Sequence, residues 1–139
     1  MMSIDFLHTV IGNDGLVAST ALAKELHITK SDLAEVTGLS TDSVSKTVRL
    51  KSRATQARLR DTVEIINRVT EWSGSVGRAF AWFRSQPLPS FGDKTAEDLV
   101  KEGRAKAVKD YLSRIADGGY ALSVPVIQFP GSHWPSGNL

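Results

Sequence analysis

The stretch that decides the fold is residues 31–51, SDLAEVTGLSTDSVSKTVRLK. Its pattern predicts two short helices joined by a tight turn. Ala34 falls where the two helices would cross most closely, and only a small side chain fits there. Gly38, four residues later, can adopt the left-handed backbone conformation that redirects the chain. Leu39 and Val44 then supply apolar side chains to fill the wedge between the helices, so the stretch predicts a helix-turn-helix.

The second helix of this motif, residues 41–51, is expected to be a recognition helix of the lambda-repressor or Xre type. Ser40 or Thr41 is expected to cap it, and Val44 and Val48, one turn apart, are expected to be buried together. Its exposed face would carry hydroxyl and cationic side chains that can contact phosphates or base edges. The predicted DNA-binding residues are Thr41, Ser43, Lys46, Thr47 and Arg49, with Lys51 and Arg53 extending the contact to the DNA backbone.

The charge distribution also favours a polyanion at this helix. The chain has 17 basic and 15 acidic residues and a net charge of +2, but residues 43–60 contain six basic residues and no acidic one. Positive charge is therefore local, as it is on proteins that meet nucleic acid. The alternative is a structural helix-turn-helix whose basic run is merely solvated. No Gln or Asn stands at the start of the recognition helix, so no target base is predicted.

Apolar residues at helical spacing predict further helices on both sides of this motif. Ser19 or Thr20 is expected to cap the helix before it, and Leu59, Val63 and Ile66 predict a long helix after it. Residues 1–18 are ambiguous, and the Pro- and Gly-rich residues 122–139 are expected to be irregular. The predicted fold is all-α: a helix-turn-helix bundle over residues 19–71, a small helical domain over 72–121, and the tail.

Composition argues against several classes of function. The 139-residue chain has no cysteine, which excludes disulfides and cysteine-based zinc sites. Its three histidines are far apart, and no nucleophile–base pair or phosphate-binding loop is present. We therefore expect no catalytic residue, metal, cofactor or small-molecule substrate. The sequence has no signal peptide or apolar run of membrane-spanning length, so a cytoplasmic protein without membrane contact is expected.

Three stretches together resemble the Xre/MbcA/ParS antitoxin family: LAEVTGLSTDSVSKTVR, AFAWFRSQPLPSFGDKTAEDLV and AVKDYLSRIADGGYA. That family joins a helix-turn-helix to a C-terminal toxin-binding domain. The second half of its pattern has a Trp-containing helix, a proline-rich turn, a Thr-capped short helix and a final helix ending in glycine. This chain departs from the pattern at Asp93, in place of a second turn glycine, and at Ala96, in place of a proline.

The resemblance implies a partner, namely a RES-domain toxin that consumes NAD as a hydrolase, phosphorylase or ADP-ribosyltransferase. It also implies a homodimer that masks the NAD cleft of the toxin and represses its own operon by binding operator DNA. The candidate toxin-binding residues are Trp82, Phe91 and Tyr120 as aromatic anchors, Lys94, Lys101 and Arg104 as polar contacts, and Phe129, His133 and Trp134 in the tail.

Alternatives remain for each of these residues and for the function. Trp82 and Phe91 could be core residues, the three cations could be solvated, and the tail could pack on the dimer partner. The whole chain could instead be a free-standing helix-turn-helix regulator whose C-terminal half dimerises or senses a ligand. A structural adaptor with a vestigial helix-turn-helix is the third possibility that the sequence leaves open.

Overall fold

The computed structural model describes residues 2–118, with side-chain burial described for residues 6–116. Over this range the all-α prediction is confirmed, because α-helices are joined by turns and only isolated bridges occur. The predicted irregular tail lies outside the described residues. The helices are α1 (Met2–Val10), α2 (Ser19–Leu26), α3 (Lys30–Thr37), α4 (Thr41–Ser45), α5 (Thr47–Leu50), α6 (Arg53–Ser73), α7 (Val76–Ser85), α8 (Ala96–Lys101) and α9 (Ala105–Gly118).

The ambiguous N-terminal segment is a helix followed by a tight turn. The chain reverses between Ile11 and Val17, which pair in an isolated bridge. Inside this turn, the Gly12 amide donates to the Leu16 carbonyl at 2.9 Å. Val10 and Val17 are fully buried, and α1 packs against α2 and α6. This segment is therefore part of the core.

Helices α3 and α4 form on either side of a tight turn, as predicted, and below the term helix-turn-helix denotes the geometry of this helix pair alone. Gly38 ends α3 with φ of +73°, and the Leu39 amide donates to the Ala34 carbonyl at 2.9 Å. Ala34 and Val44 are buried. Ser40, one of the two predicted caps, accepts a hydrogen bond from the Ser43 amide at 3.1 Å and starts α4.

The prediction of one continuous recognition helix over residues 41–51 is wrong. The helix breaks at Lys46, whose backbone is extended (φ −91°, ψ 125°), and a separate turn, α5, follows. The expected burial of Val48 beside Val44 is wrong for the same reason, because Val48 is 84% exposed.

The prediction that Ser19 or Thr20 caps α2 is also wrong, since Ala18 is the N-cap and no side chain caps this helix. The Ser19 hydroxyl instead donates to the Val44 carbonyl at 2.6 Å, with Ser19 itself buried. In a continuous helix that carbonyl would accept the amide of Val48. One bond between α2 and α4 therefore replaces both the predicted cap and the predicted helical continuation.

The long helix α6 is the centre of the molecule. It packs against α1, α3 and α5 of the first half of the chain and against α7, α8 and α9 of the second. Leu59, Val63 and Ile66 are buried along it, as predicted. The boundary expected between residues 71 and 72 falls within this helix, and the core residues of both halves form one cluster.

Helices α7, α8 and α9 are connected by two turns that contain left-handed residues. After a 3₁₀ turn at Pro89–Phe91, Gly92 and Asp93 have φ of +69° and +65°. Asp93 thus adopts the left-handed conformation at the position of a turn glycine in the antitoxin pattern, which Asp tolerates better than most residues. Thr95 and Asp98 then form the predicted capping box of α8, and Gly103, with φ of +82°, precedes α9.

Candidate functional site

The first candidate site is a cationic surface, defined by Lys46, Thr47, Arg49, Lys51 and Arg53. All five residues are exposed, in and around α5. Of the other predicted DNA-binding residues, Thr41 is exposed and Ser43 is half-buried, with its hydroxyl 2.9 Å from that of Ser40. The structure therefore places all seven predicted residues on consecutive elements, from α4 to the start of α6. The break at Lys46 separates Thr41 and Ser43 of α4 from the residues that follow.

A buried glutamine holds α5 in place. The Gln56 side chain donates from Nε2 to the Leu50 carbonyl at 3.0 Å and to the Val17 carbonyl at 3.1 Å. Its Oε1 accepts the Val17 amide at 2.8 Å. One side chain of α6 thus ties the end of α5 to the turn after α1. The cationic surface is consequently supported by a buried hydrogen-bond network rather than by a free loop.

Two further cations of the basic run have internal partners. Arg58 donates from Nη1 to the Thr37 carbonyl at 2.7 Å, at the end of α3. Arg60 donates from Nη2 to the Gly15 carbonyl at 2.6 Å. These bonds stabilise the turn of the helix-turn-helix and the turn after α1. The basic run therefore contains both structural arginines and side chains that face solvent.

The second candidate site, the Phe91 surface, comprises Phe91, Lys94, Glu102, Arg104 and Tyr111. The half-buried Phe91 ring meets Tyr111 edge to face, with ring centroids 6.2 Å apart. The Arg104 guanidinium lies 5.7 Å from the centre of the same ring. Glu102 pairs with Lys94 and, at 3.5 Å, with Arg104. Three of the predicted toxin-binding residues, Phe91, Lys94 and Arg104, are therefore brought together.

Sequence reasoning missed Glu102 and Tyr111, which organise this surface. The hydrogen bond from Lys94 lowers the pKa of the Glu102 carboxyl, with a further contribution from Arg104. Burial raises the pKa of Tyr111, and nearby Arg114 opposes that shift. Near neutral pH the carboxyl is therefore ionised and the phenol is neutral, so both ion pairs are present. In the sequence, the available signal for Glu102 was its opposite charge to the two predicted toxin-binding residues Lys94 and Arg104.

Lys101 is in a different place, at the contact between α8 and the helix-turn-helix. Its Nζ lies 2.9 Å from Oε2 of the buried Glu97, whose Oε1 accepts a hydrogen bond from Arg84 Nε at 2.9 Å. A Cβ added to Gly38 would lie 3.2 Å from the Lys101 Cα. Lys101 therefore has a structural role where α8 packs against Gly38. The sequence had predicted it only as a toxin-binding residue.

The prediction of Trp82 as a surface anchor is corrected by its burial. Trp82, a residue of α7, is 1% exposed and belongs to the core. A partner protein cannot reach it in this conformation. The remaining predicted toxin-binding residues lie outside the described residues: the anchor Tyr120, and Phe129, His133 and Trp134 of the tail.

Within the described part of the chain, no group of three or more acidic or histidine residues is placed to hold a metal ion. No helix of residues 2–118 has the length and apolar character needed to cross a membrane.

Comparison with protein families gave a match for part of the chain. The model of the antitoxin Xre/MbcA/ParS C-terminal toxin-binding domain matches residues 68–118. This segment belongs to that antitoxin family. The antitoxin domain begins in the last turns of α6 and includes α7, α8, α9 and the whole Phe91 surface. Searches of curated proteins and of solved structures gave no match.

The family assignment confirms the resemblance noted in the sequence. A toxin-binding domain supports an antitoxin role with a toxin as partner, and it indicates a regulatory protein rather than an enzyme. The match begins within α6, at residue 68, so the helix-turn-helix and the cationic surface lie outside it.

Proposed function

We propose that this protein is the antitoxin of a type II toxin–antitoxin module whose toxin is an NAD-consuming RES-domain enzyme. The antitoxin would bind the toxin through its second half and cover the NAD site. The observation that carries this proposal is the match of residues 68–118 to a toxin-binding domain. The RES identity of the partner comes from the wider resemblance of the sequence to the Xre/MbcA/ParS family.

The Phe91 surface is the part of the antitoxin domain that we assign to toxin binding. Aromatic and arginine side chains contribute most to the energy of protein interfaces, and this surface presents both in contact. Its side chains are held in place by the Tyr111 ring and by the Glu102 carboxylate. Pre-ordered side chains lose less conformational entropy on association, which favours tight binding. Occlusion of a substrate cleft needs only such a rigid surface and no chemistry.

We assign the cationic surface to operator DNA, through which the antitoxin would repress its own operon. Exposed cations on a helix-turn-helix attract phosphates, and binding should weaken steeply as salt rises because counterions are released. Helix-turn-helix repressors usually bind paired half-sites as two-fold dimers, so we also propose a homodimer. Residues 122–139, with Phe129, His133 and Trp134, remain a proposed additional contact with the toxin.

The test is co-expression of the full chain with a RES-domain protein encoded beside its gene. We expect the two proteins to co-purify and NAD consumption by the toxin to stop when the antitoxin is stoichiometric. Arg104→Glu and Phe91→Ala should weaken toxin binding at least tenfold, as hot-spot substitutions do. Failure to co-purify would contradict the toxin assignment. A complex that still consumes NAD would contradict occlusion alone.

The matched control is Lys46→Glu with Arg49→Glu, which reverses two charges on the cationic surface. This variant should lose binding to the promoter DNA of its own operon and keep its affinity for the toxin. The Arg104→Glu variant should show the opposite pattern. If either variant lost both activities while its circular dichroism spectrum and unfolding midpoint stayed unchanged, the division into two surfaces would be wrong.

A further inference from the structure

Val48 is the one large hydrophobic side chain among residues 6–116 that is largely exposed, and it lies in the middle of the cationic surface. A single exposed valine is unremarkable on most surfaces. Here, however, Lys46, Thr47 and Arg49 are its exposed neighbours, and Lys51 follows one residue after Leu50. Its two methyl groups therefore form a small apolar group within a surface that attracts anions.

The backbone directs Val48 outwards. Leu50 packs against the core, and its carbonyl is held by Gln56 at 3.0 Å. Two residues along an α-helix are separated by about 200° of rotation, so an inward Leu50 places Val48 on the opposite side of α5. The break at Lys46 makes this possible, because in an unbroken helix Val48 would share the buried face of Val44.

The surroundings of Val48 favour duplex DNA as its partner. The nearest acidic residue in sequence, Asp42, lies 3.8 Å from the Arg49 guanidinium, and no other acid occurs between residues 43 and 60. Asp42 thus partly neutralises Arg49, but the surface as a whole suits a partner that offers negative charge on both sides of a small apolar group. The major groove does so, since rows of phosphates border base edges on which the 5-methyl of thymine is the apolar group.

We propose that Val48 contacts the 5-methyl group of a thymine and so determines one base of the DNA target. This inference rests on the proposed binding of operator DNA and extends it to sequence specificity. Valine has no side-chain donor or acceptor, so it cannot distinguish the other bases by hydrogen bonds. A methyl contact is the one means of direct recognition open to it. The target should then contain a thymine in each half-site.

The experiment replaces thymine by deoxyuridine, which removes only the methyl group. The full-length protein first selects duplexes of about 20 base pairs, the span of two half-sites, from a randomised pool. Each thymine of the selected duplex is then replaced in turn, and affinities are measured for wild type and Val48→Ala. Replacing the thymine that Val48 contacts, in one half-site at a time, should weaken wild-type binding about fourfold, the effect of one buried methyl group. The same replacement should weaken the binding of Val48→Ala less, because alanine is shorter and keeps only one methyl group.

Lys46→Ala is the matched control. It should weaken binding to every duplex, reduce the dependence on salt, and keep the sensitivity to the thymine methyl. If Val48→Ala and the deoxyuridine replacements were additive at all positions, Val48 would not read thymine, although DNA binding would stand. If no duplex were selected from the pool, the proposed DNA binding would fail together with this inference. If Val48→Ala weakened toxin binding or dimerisation while leaving DNA affinity unchanged, the partner of Val48 would be a protein.

Discussion

The hydroxyl of Ser19 in α2 donates a hydrogen bond of 2.6 Å to the carbonyl of Val44 in α4. Both residues are buried, so the bond joins α2 to the helix-turn-helix in a region without solvent. It also occupies a carbonyl that a continuing helix would use for Val48. The chain leaves α4 two residues later, at the extended Lys46. The exposure of Val48 and the position of α5 depend on this break.

Ser19→Ala should therefore destabilise the protein although it removes a single oxygen. A buried carbonyl that loses its partner costs about 1–3 kcal/mol. We expect the midpoint of urea unfolding to fall, with little change in the denaturant dependence. Thr20→Ala is the control, because Thr20 is the exposed neighbour in the same turn of α2. If both variants unfolded at the wild-type midpoint, the Ser19–Val44 bond would contribute nothing.

Predictions from the sequence held where they depended on nearby residues. The apolar stripe of α6, the Thr95–Asp98 capping box and the left-handed Gly38 involve positions within a few residues of each other. The predictions for Ser19 and Val48 failed, and both positions are affected by a hydrogen bond across 25 positions, from the Ser19 hydroxyl to the Val44 carbonyl. Helical periodicity cannot indicate that a carbonyl will be taken by a distant hydroxyl.

The candidate toxin surface could be predicted one residue at a time but not as an arrangement. Phe91, Lys94 and Arg104 were chosen for their side-chain types. Their convergence depends on the left-handed residues of two turns and on Glu102, which the choice by residue type overlooked. Trp82 had equal merit as an aromatic, and only tertiary packing shows that it is buried.

A close contact between Gly38 and Lys101 links the helix-turn-helix to α8, and an alanine at Gly38 should disrupt it. The new Cβ would lie 3.2 Å from the Lys101 Cα and 3.1 Å from Arg58 Nη1, at a φ of +73°. The backbone strain costs about 1–2 kcal/mol, and overpacking against backbone adds about 1 kcal/mol or more. Urea unfolding of Gly38→Ala measures the sum.

Gly74→Ala isolates the strain contribution. Gly74 ends α6 with φ of +91°, and a Cβ there would meet no atom within 4 Å. The free energy of unfolding of this variant should fall only by the strain of an alanine in the left-handed conformation. Equal losses at Gly38 and Gly74 would show that the packing of Lys101 against the helix-turn-helix is loose.

Glu97 of α8 should contribute more to stability than an acidic residue in an exposed ion pair. Its side chain is 9% exposed, and its carboxylate pairs with Arg84 of α7 and Lys101 of α8, each at 2.9 Å. Glu97→Gln removes the negative charge and leaves two cations together. Because both cations are partly solvated, we expect a loss of about 1–2 kcal/mol, below the range for fully buried pairs.

Asp110→Asn is the control for Glu97→Gln in thermal or urea unfolding. Asp110 pairs with Lys106 at 3.0 Å on the open face of α9, where the side chains are 52% and 88% exposed. Such pairs contribute little, so the loss should be at most about 0.5 kcal/mol. A loss at Glu97 as small as that at Asp110 would mean that the paired carboxylate does not stabilise the contact of α7 with α8.

The Phe91 surface should lose its ion pairs in acid. The hydrogen bond from Lys94 lowers the pKa of Glu102 in the folded protein, with Arg104 contributing less. A depressed folded-state pKa means that the pairing is complete above the pKa of a free glutamate, about 4.3, and is lost as the pH falls through the lower folded-state pKa. A carbon-13 NMR titration of the Glu102 carboxyl should have its midpoint at a higher pH in Lys94→Met than in wild type. The control is Lys106→Met, which removes a cation that pairs with Asp110, so it should leave the Glu102 midpoint unchanged.

If the Glu102 carboxyl titrated as in wild type in both Lys94→Met and Lys106→Met, Lys94 would not hold the Glu102 carboxylate beside Arg104.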